Sequence, residues 1–137
     1  MFDVSKRLFS HFYQCIFSDP IESWKQLAAK TSNAFNESLL QNISARYATP
    51  TPIQMQAIPL MMERREVIAC APTGSGKTAA YLVPLIHHLA SSSAKANKAS
   101  QGKKRTRSII LCPTRELAQQ VLRECQALMP EGLLKVN

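Results

Sequence analysis

The strongest constraint on how this chain folds is a short turn with two closely spaced glycines, Ala-Pro-Thr-Gly-Ser-Gly-Lys-Thr at 71–78. The turn follows an apolar run at 67–71, which is typical of a strand buried on both faces. It precedes a segment at 78–89 whose apolar residues recur at helical spacing. Gly74 and Gly76 can adopt positive φ, which lets backbone N–H groups approach an anion closely. A phosphate-binding loop is therefore predicted, because the positive end of the helix dipole faces the same point.

The last two residues of the turn suit the phosphates and their counterion. We expect the Lys77 ammonium to reach the β and γ phosphates of a nucleotide and the Thr78 hydroxyl to bind Mg²⁺. The usual pattern of such loops has its first glycine where Ala71 stands, but the flanking strand and helix support the same interpretation. The predicted nucleotide-binding turn comprises Ala71, Pro72, Thr73, Gly74, Ser75, Gly76, Lys77 and Thr78.

Elements after the turn predict the fold class. A second apolar run at 108–112 is interpreted as another buried strand, and 115–128 as a long helix that ends before Pro130. A third strand is predicted at 133–136. Since strands alternate with helices of this length, we expect an α/β domain with a parallel sheet. A chain of 137 residues is long enough for one domain with its own core.

Two helices are expected before the turn. Leu39 and Ile43 recur at helical spacing, and either Asn36 or Ser38 can serve as the N-cap of the first helix. A proline-rich stretch ends that helix, since each proline disfavours helical geometry in the residue before it. The second helix is predicted over 53–63.

The balance of charge favours an anionic partner. The chain has 17 Lys and Arg residues against 9 Asp and Glu residues, a formal net charge of +8. Nucleic acid is the leading candidate for the partner, and the alternative is a basic surface that serves solubility alone. The low-complexity stretch at 91–107 is interpreted as a solvated loop rather than an RNA contact. Its cations are Lys95, Lys98, Lys103, Lys104, Arg105 and Arg107.

Other classes of protein are disfavoured. No apolar run approaches the roughly 20 residues needed to span a bilayer, so no membrane partner is expected. The aromatic-rich N-terminus at 1–18 lacks the small-residue cleavage site of a secretory signal, and we expect an intracellular protein. Cysteine and histidine spacings match no metal site, and neither a disulfide nor a metal cluster is expected.

Two segments flanking the turn carry a resemblance to a known family. Pro-Thr-Pro-Ile-Gln at 50–54 precedes the turn, and Pro-Thr-Arg-Glu-Leu-Ala at 113–118 follows the second predicted strand. With the turn at 71–78, they resemble the Q motif, the first ATPase motif and motif Ia of DEAD-box RNA helicases, in the same order. This resemblance covers 19–137. The subfamily resemblance rests on three segments: Asp-Pro-Ile-Glu-Ser-Trp-Lys-Gln-Leu at 19–27, Leu-Leu-Gln-Asn-Ile at 39–43 and Pro-Thr-Pro-Ile-Gln-Met-Gln-Ala-Ile-Pro at 50–59. They are most similar to the ribosome-assembly DEAD-box helicases needed for small-subunit rRNA maturation.

The resemblance implies an ATP-dependent RNA helicase that uses ATP and Mg²⁺ and contains a partial RecA-like P-loop domain. It implies three regions: an N-terminal extension of no assigned role at 1–18, a Q-motif region at 19–56, and the first part of the ATP-binding domain at 57–137. RNA is the implied partner, and the closer resemblance implies pre-rRNA, with ribosome-assembly proteins as further partners. It also implies a location in the nucleus or nucleolus.

Adenine recognition is assigned by the same resemblance. Gln54 would hydrogen-bond the adenine edge, because its amide offers one kind of donor and one kind of acceptor to adenine N7 and N6. Trp24 would be the aromatic residue that stacks on adenine, and Phe35 is the alternative. An ordinary core tryptophan is the competing interpretation of Trp24.

RNA recognition is assigned to the start of the last predicted helix. Arg115 would hold an RNA phosphate by charge and Thr114 by its hydroxyl. The competing interpretation is helix capping, with Thr114 as N-cap and Glu116 in the first turn, and the two are compatible. The implied RNA-binding residues are Pro113, Thr114, Arg115 and Glu116.

Residues 1–137 contain no Asp-Glu-Ala-Asp motif, no Ser-Ala-Thr motif and no second RecA-like domain. We therefore expect no catalytic residue in this stretch, and expect it to be inactive alone. The predicted strands at 67–71 and 108–112 would lack their neighbours and expose apolar edges, so poor folding is expected. Two alternatives are another P-loop NTPase and a truncated, non-enzymatic product that binds RNA or a partner protein.

Overall fold

Helices make up the regular structure of the described residues. The computed structural model describes residues 19–31, 35–96 and 106–133, and at 93–96 only the backbone. Five α-helices lie in this part of the chain: α1 (Trp24–Lys30), α2 (Glu37–Arg46), α3 (Pro52–Met62), α4 (Lys77–Ala96) and α5 (Arg115–Leu128). None of them is long and apolar enough to cross a membrane.

Helix boundaries before the turn follow the local sequence signals. α2 begins after Asn36, whose Oδ1 accepts a hydrogen bond from the Leu39 N–H at 2.9 Å. Asn36 rather than Ser38 is thus the N-cap, because a side-chain oxygen here satisfies an otherwise unpaired donor of the first turn. α3 begins at Pro52, where the fixed φ of proline is already helical and the missing N–H costs nothing.

The later helices also correspond to predicted ones. α5 covers the predicted range, and α4 extends past its predicted end at 89 to Ala96, into the basic stretch. The rest of that stretch, at 97–105, lies outside the described residues, as do the predicted extension at 1–18 and nearly all of the third strand at 133–136.

The centre of the core is the contact between α3 and α4. Ile58 of α3 and Leu82, Val83 and Ile86 of α4 are fully buried. Burying apolar area of this kind contributes about 25 cal/mol per Å² removed from water. Each of the other helices adds apolar side chains to the same cluster, and these are Trp24, Leu27, Leu39, Ile43, Cys125 and Leu128.

Polar contacts join α2 to α5. The Arg46 guanidinium forms an ion pair with Glu124 at 3.0 Å. Asn42 Nδ2 donates to the carbonyl oxygen of Leu128 at 3.1 Å, at the last residue of α5. A carbonyl at a helix end has no partner within the helix, so this side chain satisfies a group that would otherwise remain unpaired. The C-terminal half of α5 is consequently attached to the rest of the protein.

The two predicted strands are not found. Residues 67–71 and 108–112 lie outside regular structure, and the described residues contain no β-strand, so the parallel sheet is not shown. Ile68 is 85% exposed, Ile109 75% and Leu111 90%. A strand exists only when a neighbouring backbone pairs with it, and an apolar run alone does not supply that neighbour. This exposure agrees with the expectation that the two segments expose apolar side chains when neighbouring strands do not cover them.

We predict that Leu111→Lys lowers the aggregation of the 137-residue chain, because it places a charge in an exposed apolar segment. Its free energy of unfolding should change by no more than about 0.5 kcal/mol, as for other surface substitutions. Light scattering and urea unfolding measure the two effects. Gln120→Lys is the matched control, since Gln120 is also exposed and gains the same charge without removing an apolar side chain. Equal aggregation of the two variants would contradict the prediction.

Candidate functional site

The glycine turn has the backbone shape that phosphate binding requires. Gly74 has φ of +81° and Gly76 of +89°, which confirms the positive φ predicted for both. The Ser75 N–H donates to the Pro72 carbonyl at 3.3 Å and closes the turn. α4 begins directly afterwards at Lys77, so the unpaired N–H groups of its first turn lie next to the glycines.

The Q-motif residues hold this turn from the side of α3. Gln54 is 1% exposed, and its Nε2 donates to the Gly76 carbonyl at 3.0 Å. Thr51 Oγ1 donates to the Ser75 carbonyl at 2.8 Å. Gln54 Oε1 in turn accepts from the Thr51 N–H at 2.9 Å. Two side chains at the start of α3 therefore fix two successive carbonyls of the turn.

This contact is a role that the sequence interpretation of Gln54 missed. The sequence did contain a signal for the hydrogen bond between Gln54 and the Thr51 N–H. Thr-x-x-Gln at a helix start is the pattern in which the glutamine side chain accepts a hydrogen bond from the N-cap N–H. Nothing in the local sequence indicated the second hydrogen bond, from Gln54 to the carbonyl of Gly76, because the two residues are 22 positions apart. The adenine contact assigned to Gln54 stays a prediction.

Close packing against Gln54 explains why the second glycine has no side chain. A Cβ on Gly76 would lie 2.5 Å from Gln54 Nε2 and 3.1 Å from Thr51 Oγ1. A Cβ on Gly74 would meet nothing within 4 Å. Gly76 is thus required for its φ and for the close approach, whereas Gly74 is required for its φ alone.

Lys77 and Ser75 make the turn a suitable cradle for an anion. Lys77 Nζ donates to the carbonyls of Ala71 and Pro72, the latter at 2.7 Å, so the ammonium lies across the turn. Ser75 Oγ is buried and has no hydrogen-bond partner among the described residues. A buried hydroxyl without a partner is costly and marks a place for a further polar group. The residues of the turn therefore fit the phosphates of a nucleotide.

Thr78 lies beside a phenol on the next turn of α4. Burial raises the pKa of Tyr81, the nearby Cys112 thiol raises it further, and a hydrogen bond with Thr78 acts in the opposite direction. The Tyr81 phenol is therefore neutral at physiological pH, as an ordinary tyrosine is.

The structure places both candidate adenine-stacking residues against other groups. Trp24 is 4% exposed, and its Nε1 donates to the Tyr47 carbonyl at 2.8 Å. Phe35 stacks on His87 with ring centroids 5.1 Å apart and an interplanar angle of 9°. The position of Trp24 favours the interpretation as a core tryptophan, since stacking on adenine would require its ring to leave this site. Adenine stacking by either residue stays a prediction.

The predicted RNA-binding residues are all on the surface. Thr114 Oγ1 accepts from the Leu117 N–H at 3.2 Å, so the capping role is found. Arg115 is exposed and forms no ion pair with another described residue. Its exposure leaves Arg115 available to a phosphate. The RNA contact itself stays a prediction. These exposed residues are Pro113, Thr114, Arg115 and Glu116.

Comparisons with known proteins agree with one another. Residues 51–137 match the family described as DEAD/DEAH box helicase. Over 107 residues the chain is 48% identical to the probable ATP-dependent RNA helicase DDX52 of Bos taurus and 45% identical to the ATP-dependent RNA helicase ROK1 of Vanderwaltozyma polyspora. These matches cover 77% of this chain but only 16% and 17% of the two relatives, so the chain spans about a sixth of their length.

A solved structure supports the helicase fold. The crystal structure of the RNA helicase Prp28 from Chaetomium thermophilum bound to ADP matches with a TM-score of 0.63 and 30% identity. The match covers 93% of this chain and 30% of that one. The arrangement of the chain is thus that of part of a helicase, although the sheet is not seen among the described residues.

We predict that Gly76→Ala destabilises the protein by roughly 2–4 kcal/mol, from backbone strain at positive φ together with two disturbed hydrogen bonds. Gly74→Ala is the matched control, because it has the same kind of φ but open space for a Cβ, and should cost roughly 1 kcal/mol. Urea unfolding followed by circular dichroism measures both. An equal loss of unfolding free energy in the two variants would show that Gln54 does not approach the turn closely.

Proposed function

Because this chain belongs to the DEAD/DEAH box helicases, we propose that it is the ATP-binding side of the first RecA-like domain of an ATP-dependent RNA helicase. The observation that carries the proposal is the pair of hydrogen bonds from Gln54 and Thr51 to the carbonyls of Gly76 and Ser75. They join the segment proposed to recognise the base to the turn proposed to bind phosphate. A small-molecule kinase, the other P-loop alternative, would need no such segment.

ATP would be held at both of its ends. The N–H groups at the start of α4 and the Lys77 ammonium would bind the phosphates. Thr78 would bind Mg²⁺, which commonly takes few protein ligands and shares the nucleotide phosphates. Gln54 has one side-chain N–H and one oxygen lone pair beyond those used for Gly76 and Thr51, and these would read adenine. Recognition of the base and binding of the phosphates would then be coupled through the hydrogen bonds that join Gln54 and Thr51 to the turn.

Bound ATP would supply free energy through attack of water on its γ-phosphate, a reaction in which enzymes contribute positioning and charge stabilisation. The residues described above contribute the positioning. The 137 residues contain no Asp-Glu-Ala-Asp sequence, so we propose that the acidic Mg²⁺ partner and the general base are supplied by other residues. The role proposed for these residues is binding of ATP and RNA.

RNA would bind at the exposed start of α5. Arg115 and the Thr114 hydroxyl are suited to phosphate oxygens, and contacts of this kind position RNA without reading its sequence. The net charge of +8 supports an anionic partner. The Arg115 guanidinium and the Thr114 hydroxyl lie at the same helix end, so they would contact the sugar-phosphate backbone of RNA in a defined geometry.

The finer role that we propose is rRNA processing during ribosome biogenesis. It is supported by the resemblance of the segments at 19–27, 39–43 and 50–59 to ribosome-assembly helicases. Pre-rRNA would be the RNA, ribosome-assembly proteins would be further partners, and the nucleus or nucleolus would be the location. A short form without enzymatic activity that binds RNA or a partner is the second candidate, since the binding residues alone suffice for it.

We predict that the chain binds ATP more tightly than GTP and that Gln54→Ala removes the difference, because a lost hydrogen-bond pair costs about 1–3 kcal/mol. The ratio of the two affinities isolates base recognition, since both nucleotides carry the same triphosphate. Equilibrium dialysis measures it. Gln56→Ala, an exposed glutamine on the same helix, should keep the preference. Equal binding of ATP and GTP by the unchanged chain would reject adenine recognition by Gln54.

We also predict that Arg115→Ala weakens binding of single-stranded RNA about equally for all sequences. It should reduce the slope of log affinity against log salt by about 0.7, the value for one phosphate contact. Arg123→Ala is the matched control, because Arg123 is an exposed arginine farther along α5. Fluorescence anisotropy with labelled oligonucleotides at several salt concentrations measures both variants. Identical slopes for the two variants would leave Thr114 with its capping role alone and Arg115 with no RNA contact.

A further inference from the structure

A cavity of about 360 Å³ lies between α1, the end of α3 and the middle of α4. Its size falls within the range of small-molecule sites. His87 lines it ten residues after Lys77 on α4, which places the cavity about 15 Å along the helix axis from the phosphate-binding turn. The cavity is therefore separate from the proposed ATP site. Its apolar lining includes Ile21, Leu27, Pro59 and Met62.

The buried imidazole in this cavity lacks a hydrogen-bond partner. His87 is 3% exposed, and its Nδ1 is buried without a partner among the described residues. Its ring is held flat against Phe35. The other histidine is already engaged, because a ring nitrogen of His88 is 3.0 Å from the Met61 carbonyl. Buried polar atoms without partners are rare in proteins, and each needs an explanation.

An arginine at the rim has an unusual backbone conformation. Arg64 has φ of 62°, directly after the C-cap residue of α3, where glycine is the common residue. The position therefore holds a cation at a backbone cost that glycine would avoid. Arg64 also lies near enough to His87 to help lower the pKa of its imidazole, after burial and the charge of His88.

The charges around the cavity leave Arg64 without a counterion. Lys30 lies 3.8 Å from Asp19, and Glu63 pairs with Arg65 at 3.0 Å. No carboxylate of the described residues pairs with Arg64. Arg64 and His87 thus both line this cavity, and among the described residues the Arg64 guanidinium has no counterion and His87 Nδ1 has no hydrogen-bond partner.

From this arrangement we propose that the cavity binds a small organic anion. Its phosphate or carboxylate group would accept hydrogen bonds from the Arg64 guanidinium and from His87 Nδ1–H. Its apolar body would lie against Ile21, Leu27 and Met62. The anion would neutralise the charge of Arg64 and satisfy the buried nitrogen of His87, two cavity-lining groups that have no partner among the described residues.

Phenyl phosphate is the probe for the test, and phenol is its uncharged control. Imidazole resonances of the ¹⁵N-labelled 137-residue chain are followed by NMR while each compound is added. We expect a saturable shift of the His87 Nδ1 resonance with phenyl phosphate and little shift with phenol. Lys77→Ala should retain the shift, so a failure of the proposed ATP site leaves this result unaffected.

Variants at two exposed arginines make the test specific. Arg64→Gly removes the rim cation at a φ that glycine adopts freely, so the fold is retained, and it should weaken binding by about tenfold or more. Arg123→Ala removes the same charge from an exposed residue of α5 that does not line the cavity, and this variant should bind phenyl phosphate normally. The proposal is overturned by an absent His87 shift, by equal weakening in both variants, by an equal response to phenol, or by a response to short RNA alone.

Discussion

The hydrogen bond from Gln54 Nε2 to the Gly76 carbonyl is the interaction on which the rest of the site depends. It lies where α3 and α4 pack together, so the same contact joins the core to the glycine turn. Burial of Gln54 makes the bond costly to break, because the amide would then be left without a partner away from water. The turn is thereby presented in one conformation, and a preformed site binds its ligand without the cost of ordering it.

α4 organises the molecule along its length. Its first turn carries Lys77 and Thr78, its apolar face forms the core with α3, and its later turns carry His87 in the cavity. The start of α5 faces outward, while the other end of α5 is held through Arg46 and Asn42 of α2. The proposed ATP, RNA and anion sites therefore all lie on helices that the core holds in place, which is the arrangement that precise binding geometry requires.

Local signals in the sequence were sufficient to predict α2, α3, α4, α5 and the glycine turn, whereas α1 (Trp24–Lys30) was not predicted. Periodic apolar residues and the Asn36 and Thr114 caps act within a few residues, so α2 and α5 could be predicted. The runs at 67–71 and 108–112 could not be interpreted in the same way, because a strand depends on pairing with a neighbouring backbone, which local sequence does not specify. Long-range contacts also decide the position of Trp24, whose partner Tyr47 is 23 residues away, and the link from Gln54 to the turn.

The central claim is that Gln54 is bound to the glycine turn, and NMR can observe this contact directly. The side-chain amide protons of Gln54 are assigned in the 137-residue chain, and a nuclear Overhauser cross-peak to the Hα protons of Gly76 is sought. We predict a strong cross-peak, with slow solvent exchange of the same amide protons, because the bonded nitrogen lies 3.0 Å from the Gly76 carbonyl oxygen and is buried. Rapidly exchanging amide protons without a cross-peak to Gly76 would contradict the account.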